Sequence, residues 1–280
     1  MITPKQRAMD ITTPNGQPVN ILGLGGNSKM DRACVPLAYD AGINYFFFYD
    51  LTHRPLIEGL KPIVDAYRDN VVVATGTELR DINAVTQYLE EIFQTLNLDM
   101  LDIFYIEYIS PSEDLDELLA TDGVFDLLQN WKEKGLIRYV GATAHSRPAT
   151  VELIKSGKVD VMMHRYNVAH RGAEEHVLPA AIAADMPVVA FTCTRWGRLL
   201  KDHPEWNDTL FDAVTCYRYA LQHPGIRLAM TAPETTDQLK ENLEIFNHPD
   251  TLSKEEIDRC EAFGKLVYGD GLDTFEVRWP

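Results

Sequence analysis

LDIFYIEY (Leu101–Tyr108) is an almost uninterrupted apolar run, which predicts a β-strand covered on both faces. Apolar residues at helical spacing follow it as far as Trp131, and a second apolar run, YVGA (Tyr139–Ala142), comes next. A strand, a helix and a strand in this order predict parallel pairing through a right-handed crossover. This unit is typical of the α/β class.

The same alternation extends in both directions along the chain. Seven apolar runs predict strands at Asn44–Tyr49, Val71–Thr75, Leu101–Tyr108, Tyr139–Ala142, Val159–His164, Val188–Thr192 and Arg227–Met230. A short eighth run, Asn20–Leu24, precedes them. Eight such units close into a (β/α)8 TIM barrel, so we expect one barrel domain over residues 1–280. An open doubly wound sheet is the weaker alternative, because LGLGGN (Leu22–Asn27) lacks the G-x-G-x-x-G spacing.

Composition limits the partners of the chain. The formal net charge of −16 disfavours binding to nucleic acid and to anionic membranes. The N-terminus is polar, and no apolar run approaches the length of a membrane span, so we expect a cytoplasmic protein. The four cysteines are far apart, and neither they nor the histidines form a metal-binding motif. We therefore expect a small-molecule substrate and no metal, and the sequence does not set the oligomeric state.

Eight segments resemble the aldo-keto reductases in their order and spacing. They are ILGLGG (Ile21–Gly26), AGINYF (Ala41–Phe46), VVVAT (Val71–Thr75), LNLDMLDIFYI (Leu96–Ile106), WKEKGLIRYVGATAHS (Trp131–Ser146), RYNVAHRGAE (Arg165–Glu174), PVVAFT (Pro187–Thr192) and TTDQLKENL (Thr235–Leu243). RYNVAHRGAE together with FTCTRWGRLL (Phe191–Leu200) resembles a divergent bacterial branch of that family. The resemblance implies a (β/α)8 barrel that transfers hydride between a nicotinamide and a carbonyl, with a tyrosine, a lysine, an aspartate and a histidine managing the proton.

The resemblance also implies that the reacting end has changed. The family's aspartate, lysine and histidine fall on Phe47, Gly76 and Glu107. The asparagine and glutamine beside the nicotinamide fall on Ala144 and Met163. Losing several members of such a set removes transition-state stabilisation, so the usual carbonyl reduction is in doubt.

The residues implied at the cofactor end are better kept. Phe191 takes the place of the aromatic residue that stacks on nicotinamide. The other implied cofactor residues are Thr192, Thr194, Arg195 and Gly197 in the loop after strand seven, and Gln238, Glu241 and Asn242 on the last implied helix of the site. The basic clamp for a 2′-phosphate falls near Ala232, and the arginine after it falls on Gln238, so the cofactor is expected to be NADP or NAD.

Barrels place their chemistry at the carboxyl ends of the strands. The polar candidates there are Tyr49, Asp50, His53, Glu107, His145 and Arg165. Glu107 is either a buried carboxylate paired with a neighbour such as Arg165, or a general acid or base. Arg165 is an anion anchor or a structural ion-pair partner, and His53 and His145 are acid–base groups or simple hydrogen-bonding residues. Asp50 is a base or a cap for the loop.

No tyrosine stands at the expected position after strand two, so only Tyr49 or His53 in a shifted register could replace it. Trp196 and Trp279 are possible walls for a substrate.

Three functions follow from these observations. The first is a nicotinamide-dependent oxidoreductase acting on a small carbonyl or alcohol with a non-standard acid–base set. The second is a lyase, isomerase or hydrolase on the same scaffold, using Glu107 with Arg165 and His145 and no hydride transfer. The third is a non-catalytic sensor that binds the cofactor.

Overall fold

A computed structural model describes residues 10–269 of the chain. Eight parallel strands pair in chain order and close into a barrel. They are β1 (Leu22–Gly25), β2 (Tyr45–Phe48), β3 (Val72–Thr77), β4 (Leu101–Ile109), β5 (Ile137–Ala144), β6 (Val161–Arg165), β7 (Val188–Phe191) and β8 (Ile226–Thr231). The predicted (β/α)8 barrel is therefore confirmed. The expectation of one domain over residues 1–280 stays a prediction.

Helices surround the barrel and connect the strands. They are α1 (Cys34–Asp40), α2 (Arg54–Tyr67), α3 (Ile82–Leu96), α4 (Leu115–Leu119), α5 (Val124–Glu133), α6 (Arg147–Lys155), α7 (Val177–Ala183), α8 (Ala213–Leu221), α9 (Thr236–Leu243) and α10 (Lys254–Tyr268). Side chains of Asp81, Ser146, Asp212, Thr235 and Ser253 accept a backbone N–H in the first turn of the helix that each precedes. These caps fix where the loops end and the helices begin.

The barrel interior is filled by aromatic rings that lie against glycines of neighbouring strands. Tyr45 and Tyr105 are completely buried, and their hydroxyl oxygens lie 2.8 Å apart. A Cβ atom added at Gly141 would lie 2.3 Å from the ring of Tyr105, and one at Gly23 would lie 2.8 Å from the ring of Tyr45. The rings therefore need glycine beside them, and they leave no channel through the barrel.

The amino-terminal end of the barrel is closed by residues that precede β1. Ile11 and Val19 pack into the same interior cluster as the tyrosines. Asp10 forms an ion pair with the buried Arg227 of β8. Asp102 on β4 is fully buried and pairs with arginines on either side; burial raises its pKa, against the effect of those arginines. With this end sealed, the open carboxyl end is the face available to a ligand.

Within residues 10–269, no helix has both the length and the apolar character needed to cross a lipid bilayer. The four cysteines are buried thiols.

The contact between Gly141 and Tyr105 predicts a specific stability effect. Gly141→Ala should lower the free energy of unfolding by about 1–3 kcal/mol, because the added methyl group overlaps the ring. The cost should shrink in a Tyr105→Leu background, which removes the ring. Urea denaturation of the two single variants and the double variant measures this coupling, and equal costs in both backgrounds would contradict the packing described.

Candidate active site

A groove of about 1000 Å³ opens at the carboxyl end of the barrel. Its inner end is lined by Phe47, Tyr49 and His53 beside β2, and Phe191 lies on its floor. It runs outward between the β1–α1 loop and the long loop after β7. Its outer end reaches α9 at Asn242. The groove thus connects the predicted reacting end with the predicted cofactor end.

Glu107 lies at the end of β4, directly against Gly76 of the neighbouring β3. A Cβ atom added at Gly76 would lie 2.6 Å from Oε1 of Glu107 and 2.3 Å from the backbone oxygen of Tyr105. The Glu107 carboxyl therefore fills the space in which a side chain at position 76 would begin. No lysine fits there without moving the backbone of β4.

The environment of Glu107 favours its protonated form. The residue is only 4% exposed, and Oε1 is buried without a hydrogen-bond partner. Burial raises the pKa of Glu107 well above its ordinary value; Glu78 and Asp50 raise it further, and Arg80 opposes them. Burial therefore favours the protonated, neutral form of the Glu107 carboxyl over the carboxylate.

Arg80, which the sequence patterns did not single out, supports this site from the β3–α3 loop. Its Nη2 donates to the backbone oxygen of Glu107 (2.9 Å), and its Nε donates to Oε1 of Glu113 (2.6 Å). The pairing of Glu107 with Arg165, one of the two alternatives for this carboxyl, stays a prediction. Arg80 holds the backbone of Glu107 and not its carboxyl, whose Oε1 has no hydrogen-bond partner.

A bulge between β4 and β5 shapes the strand end beyond Glu107. Their pairing shifts register between Ile106 and Ile109. Tyr108 adopts a left-handed backbone conformation (φ 56°), and its N–H donates to Oγ1 of Thr143 (2.7 Å). Such strain in a residue other than glycine costs on the order of 1 kcal/mol, and it clusters at functional sites.

Tyr108 and Phe191 lie on either side of His145. The ring centroid of His145 is 5.0 Å from that of Tyr108 and 5.6 Å from that of Phe191, with edge contacts in both cases. His145 therefore lies between the strand end that bears Glu107 and the aromatic floor of the groove. Its catalytic role stays a prediction.

Tyr49 and His53 form the wall beside β2. The Tyr49 ring meets Phe47 edge-on at 4.7 Å, and its backbone N–H donates to Nδ1 of His53 (3.3 Å). Burial lowers the pKa of His53 against the effect of Asp50, so the ring is neutral and carries its proton on Nε2. Desolvation and then the nearby Glu107 raise the pKa of Tyr49, although 41% of this residue is exposed.

Asp50 acts as a local cap. Its Oδ1 accepts from the backbone N–H of Thr52 (2.7 Å) and from the Thr52 hydroxyl (2.5 Å). Of the two alternatives for Asp50, the structure supports the cap of the loop. The carboxylate still acts on the site through its charge, because it helps to raise the pKa of Glu107.

Arg165 ends β6 on the inward face that it shares with Met163, as the strand alternation predicted. It is half-buried and lies in register with Phe191 of β7. His164 points to the other face, where its Nδ1 lies 3.3 Å from Oγ1 of Thr150. Burial, followed by the charges of His145 and Arg165, lowers the pKa of His164 to about 3. His164 is therefore a neutral core residue.

The loop after β7 forms the long wall of the groove. Thr192 is left-handed (φ 54°), and its hydroxyl oxygen is buried without a partner. Oγ1 of Thr194 accepts from the N–H of Gly197 (3.3 Å), a residue whose φ of 77° suits glycine. Nδ2 of Asn167, another residue that the sequence patterns missed, donates to the backbone oxygen of Thr192 (2.9 Å) and holds this loop.

Arg195 differs from the expectation of a cofactor contact. Its left-handed backbone turns the side chain inward, where it is 1% exposed and donates to the backbone oxygen of Val267 on α10. Arg195 therefore lies in the core rather than on the groove wall. Trp196 is half-exposed on that wall, and Trp279 lies outside the described residues.

The outer end of the groove is lined by Gln238, Glu241 and Asn242. Oε1 of Gln238 accepts from the N–H of Glu234 (2.8 Å). Nδ2 of Asn242 donates to Oγ1 of Thr231 (2.9 Å), as does the hydroxyl of a tyrosine on α8. These bonds fix the wall, and the predicted contacts with a cofactor stay predictions.

Among residues 10–269, no group of three or more histidine, cysteine or acidic side chains is arranged to hold a metal ion.

Comparisons with known proteins agree with this architecture. The sequence profile described as the Aldo/keto reductase family matches residues 28–211, more than half of the chain. Aldo-keto reductase AKR11C1 from Bacillus halodurans, in its holo form, superposes with a TM-score of 0.74 at 18% identity, covering 92% of this chain and 96% of that chain. An aldo/keto reductase from Klebsiella pneumoniae, in complex with NADP and acetate, gives 0.71 at 17% identity and covers 92% and 95%.

No curated protein in the comparison matches the chain. The structural likeness at these identities shows the fold, and the profile match over more than half of the residues shows the family. The chain belongs to the aldo/keto reductase family.

Proposed function

We propose that the protein is a nicotinamide-dependent oxidoreductase acting on a small carbonyl or alcohol, with Glu107 as the proton-holding acid. The observation that carries this proposal is a buried Glu107 carboxyl of raised pKa that interacts with Tyr49 of the groove wall. Carbonyl reduction needs a proton for the oxygen on which negative charge develops. Glu107 holds such a proton where the family's histidine and lysine side chains are missing.

The groove fits an extended dinucleotide. Phe191 offers an aromatic face on the floor near the inner end, and the Thr192 hydroxyl beside it lacks a partner. Thr194, Gly197, Gln238, Glu241 and Asn242 line the remainder. When bound, the nicotinamide would supply the hydride. These side chains would hold and orient the dinucleotide along the groove.

Tyr49 connects the acid with the groove. Glu107 is not part of the groove wall, whereas Tyr49 is, and the Glu107 carboxyl is near enough to raise the pKa of the Tyr49 phenol. The proposed path for the proton therefore runs from the Glu107 carboxyl past the Tyr49 hydroxyl to the substrate oxygen. Neutral His53 can donate a hydrogen bond from Nε2 at the same wall.

The alternative chemistry without hydride transfer relied on Glu107 working with Arg165 and His145. Among the described residues, neither Arg165 nor His145 lines the groove, whereas Tyr49 does. The surviving argument is the one that links Glu107 to the groove through Tyr49. We therefore favour the oxidoreductase.

Replacing the acid tests this function. Glu107→Gln keeps the size of the side chain but removes its proton, so kcat for carbonyl reduction should fall by about 10²–10⁴. The dissociation constant of the nicotinamide, followed by its fluorescence, should stay unchanged. Glu90→Gln, an exposed residue on α3, is the matched control. Full activity in Glu107→Gln, or no binding of either nicotinamide, would refute the proposal.

The raised pKa of Glu107 also makes stability depend on pH. In the unfolded chain the group ionises near its ordinary value of 4.5, whereas the folded protein keeps the proton to higher pH. The contribution of Glu107 is thus complete below that value and is lost as the pH rises toward the folded pKa. Relative to wild type, Glu107→Gln should gain about 1.4 kcal/mol per pH unit within this window.

Urea denaturation from mildly acidic to mildly alkaline pH measures the gain in stability. A difference between Glu107→Gln and wild type that does not vary with pH would mean that the folded protein holds Glu107 ionised. Glu90→Gln should show no such slope, because its carboxyl is exposed.

A further inference from the structure

The outer end of the groove carries an excess of negative charge. Among the described residues that line the groove, four are carboxylates and one is a lysine, which gives a formal charge of 1 − 4 = −3 with histidines counted as neutral. The carboxylates are Asp212, Glu234, Glu241 and Glu244, and the lysine is Lys29. None of the carboxylates lies at the inner end beside Tyr49.

Lys29 forms an ion pair with one of these carboxylates. Its Nζ lies 3.8 Å from Oε1 of Glu234. Around this pair, hydrogen bonds that we call the latch join the β1–α1 loop to the segment before α9. Nδ2 of Asn27 donates to the backbone oxygens of Ala232 and Pro233 (both 3.1 Å). The backbone N–H of Asp31 donates to the backbone oxygen of Glu234 (2.8 Å). The latch holds Lys29 beside Glu234, so its charge is largely compensated.

The start of α9 does not reverse this balance. A helix N-terminus attracts anions, but Glu234 immediately precedes the cap, and Asp237 lies in the first turn. Gln238, the polar side chain nearest to them, accepts from the Glu234 N–H and carries no charge. No cation in the described groove is therefore left for an additional phosphate.

We infer that the groove selects NAD(H) over NADP(H). The inference rests on the proposed function: with the reacting ring at the inner end, the adenosine half extends among the carboxylates. A 2′-phosphate would add close to two negative charges there, without a partner. Glu234, Glu241 and Glu244 are thus specificity-determining residues that reject the phosphorylated cofactor. Each is exposed and individually weak, so the discrimination comes from their sum.

Titration of the purified protein with each reduced cofactor tests the inference. NADH should bind at least about fivefold more tightly than NADPH, measured by nicotinamide fluorescence or calorimetry without substrate. Added KCl should narrow the ratio, because it screens exposed charges. This second measurement needs no variant.

Neutralising the carboxylates should change the ratio. Glu234→Gln/Glu244→Gln frees Lys29 and removes two negative charges, so NADPH should bind several-fold more tightly while NADH changes little. Glu90→Gln/Glu133→Gln makes the same change in net charge on exposed positions of α3 and α5, away from the groove, and should leave the ratio unchanged.

The possible outcomes separate the two proposals. Equal or tighter binding of NADPH by the wild type, or an unchanged ratio in Glu234→Gln/Glu244→Gln, overturns the inference and leaves the oxidoreductase function intact. Binding of neither cofactor overturns both. A preference for NADH that narrows with added salt and in the groove variant, but not in the control variant, supports the inference.

Discussion

The contact between the Glu107 carboxyl and Gly76 governs the reacting end of this barrel. A Cβ at position 76 would lie 2.6 Å from Oε1 of Glu107 and 2.3 Å from the backbone oxygen of Tyr105. The absence of a lysine at position 76 and the presence of Glu107 are therefore one structural change. A lysine restored by itself would meet both the carboxyl and the main chain of β4.

The same contact depends on the layers beneath it. Tyr105 fills the barrel below Glu107 and needs Gly141 beside it, while Tyr45 needs Gly23. These pairs keep water from reaching Glu107 from below, and the sealed amino-terminal end removes a second route. The Glu107 carboxyl is left almost without access to water, and this desolvation is the largest cause of its raised pKa. Packing deep in the barrel thus sets the protonation state at its mouth.

Periodicity made the fold predictable, since apolar runs and helical stripes record which faces are covered. The helical spacing noted as far as Trp131 corresponds to α4 and α5. The burial of Glu107 could also be predicted, because its strand is apolar on both faces. The role of Arg80 could not be predicted from the sequence, because Arg80 in the β3–α3 loop contacts Glu107 on β4, 27 residues further along the chain. The inward turn of Arg195 follows from its left-handed φ, which no spacing pattern encodes.

Carboxylic acids serve opposite purposes at the two ends of the groove, and burial decides which. At the inner end Glu107 is desolvated, which raises its pKa, and in the proposed function it holds the proton that the substrate takes up. At the outer end Glu241 and Glu244 are exposed, and we infer that they repel a further negative charge. The two proposals thus give glutamate two roles, a proton donor where water is excluded and an electrostatic barrier where it is not. The groove wall from Tyr49 to the loop after β7 joins the two ends, so both roles belong to a single site.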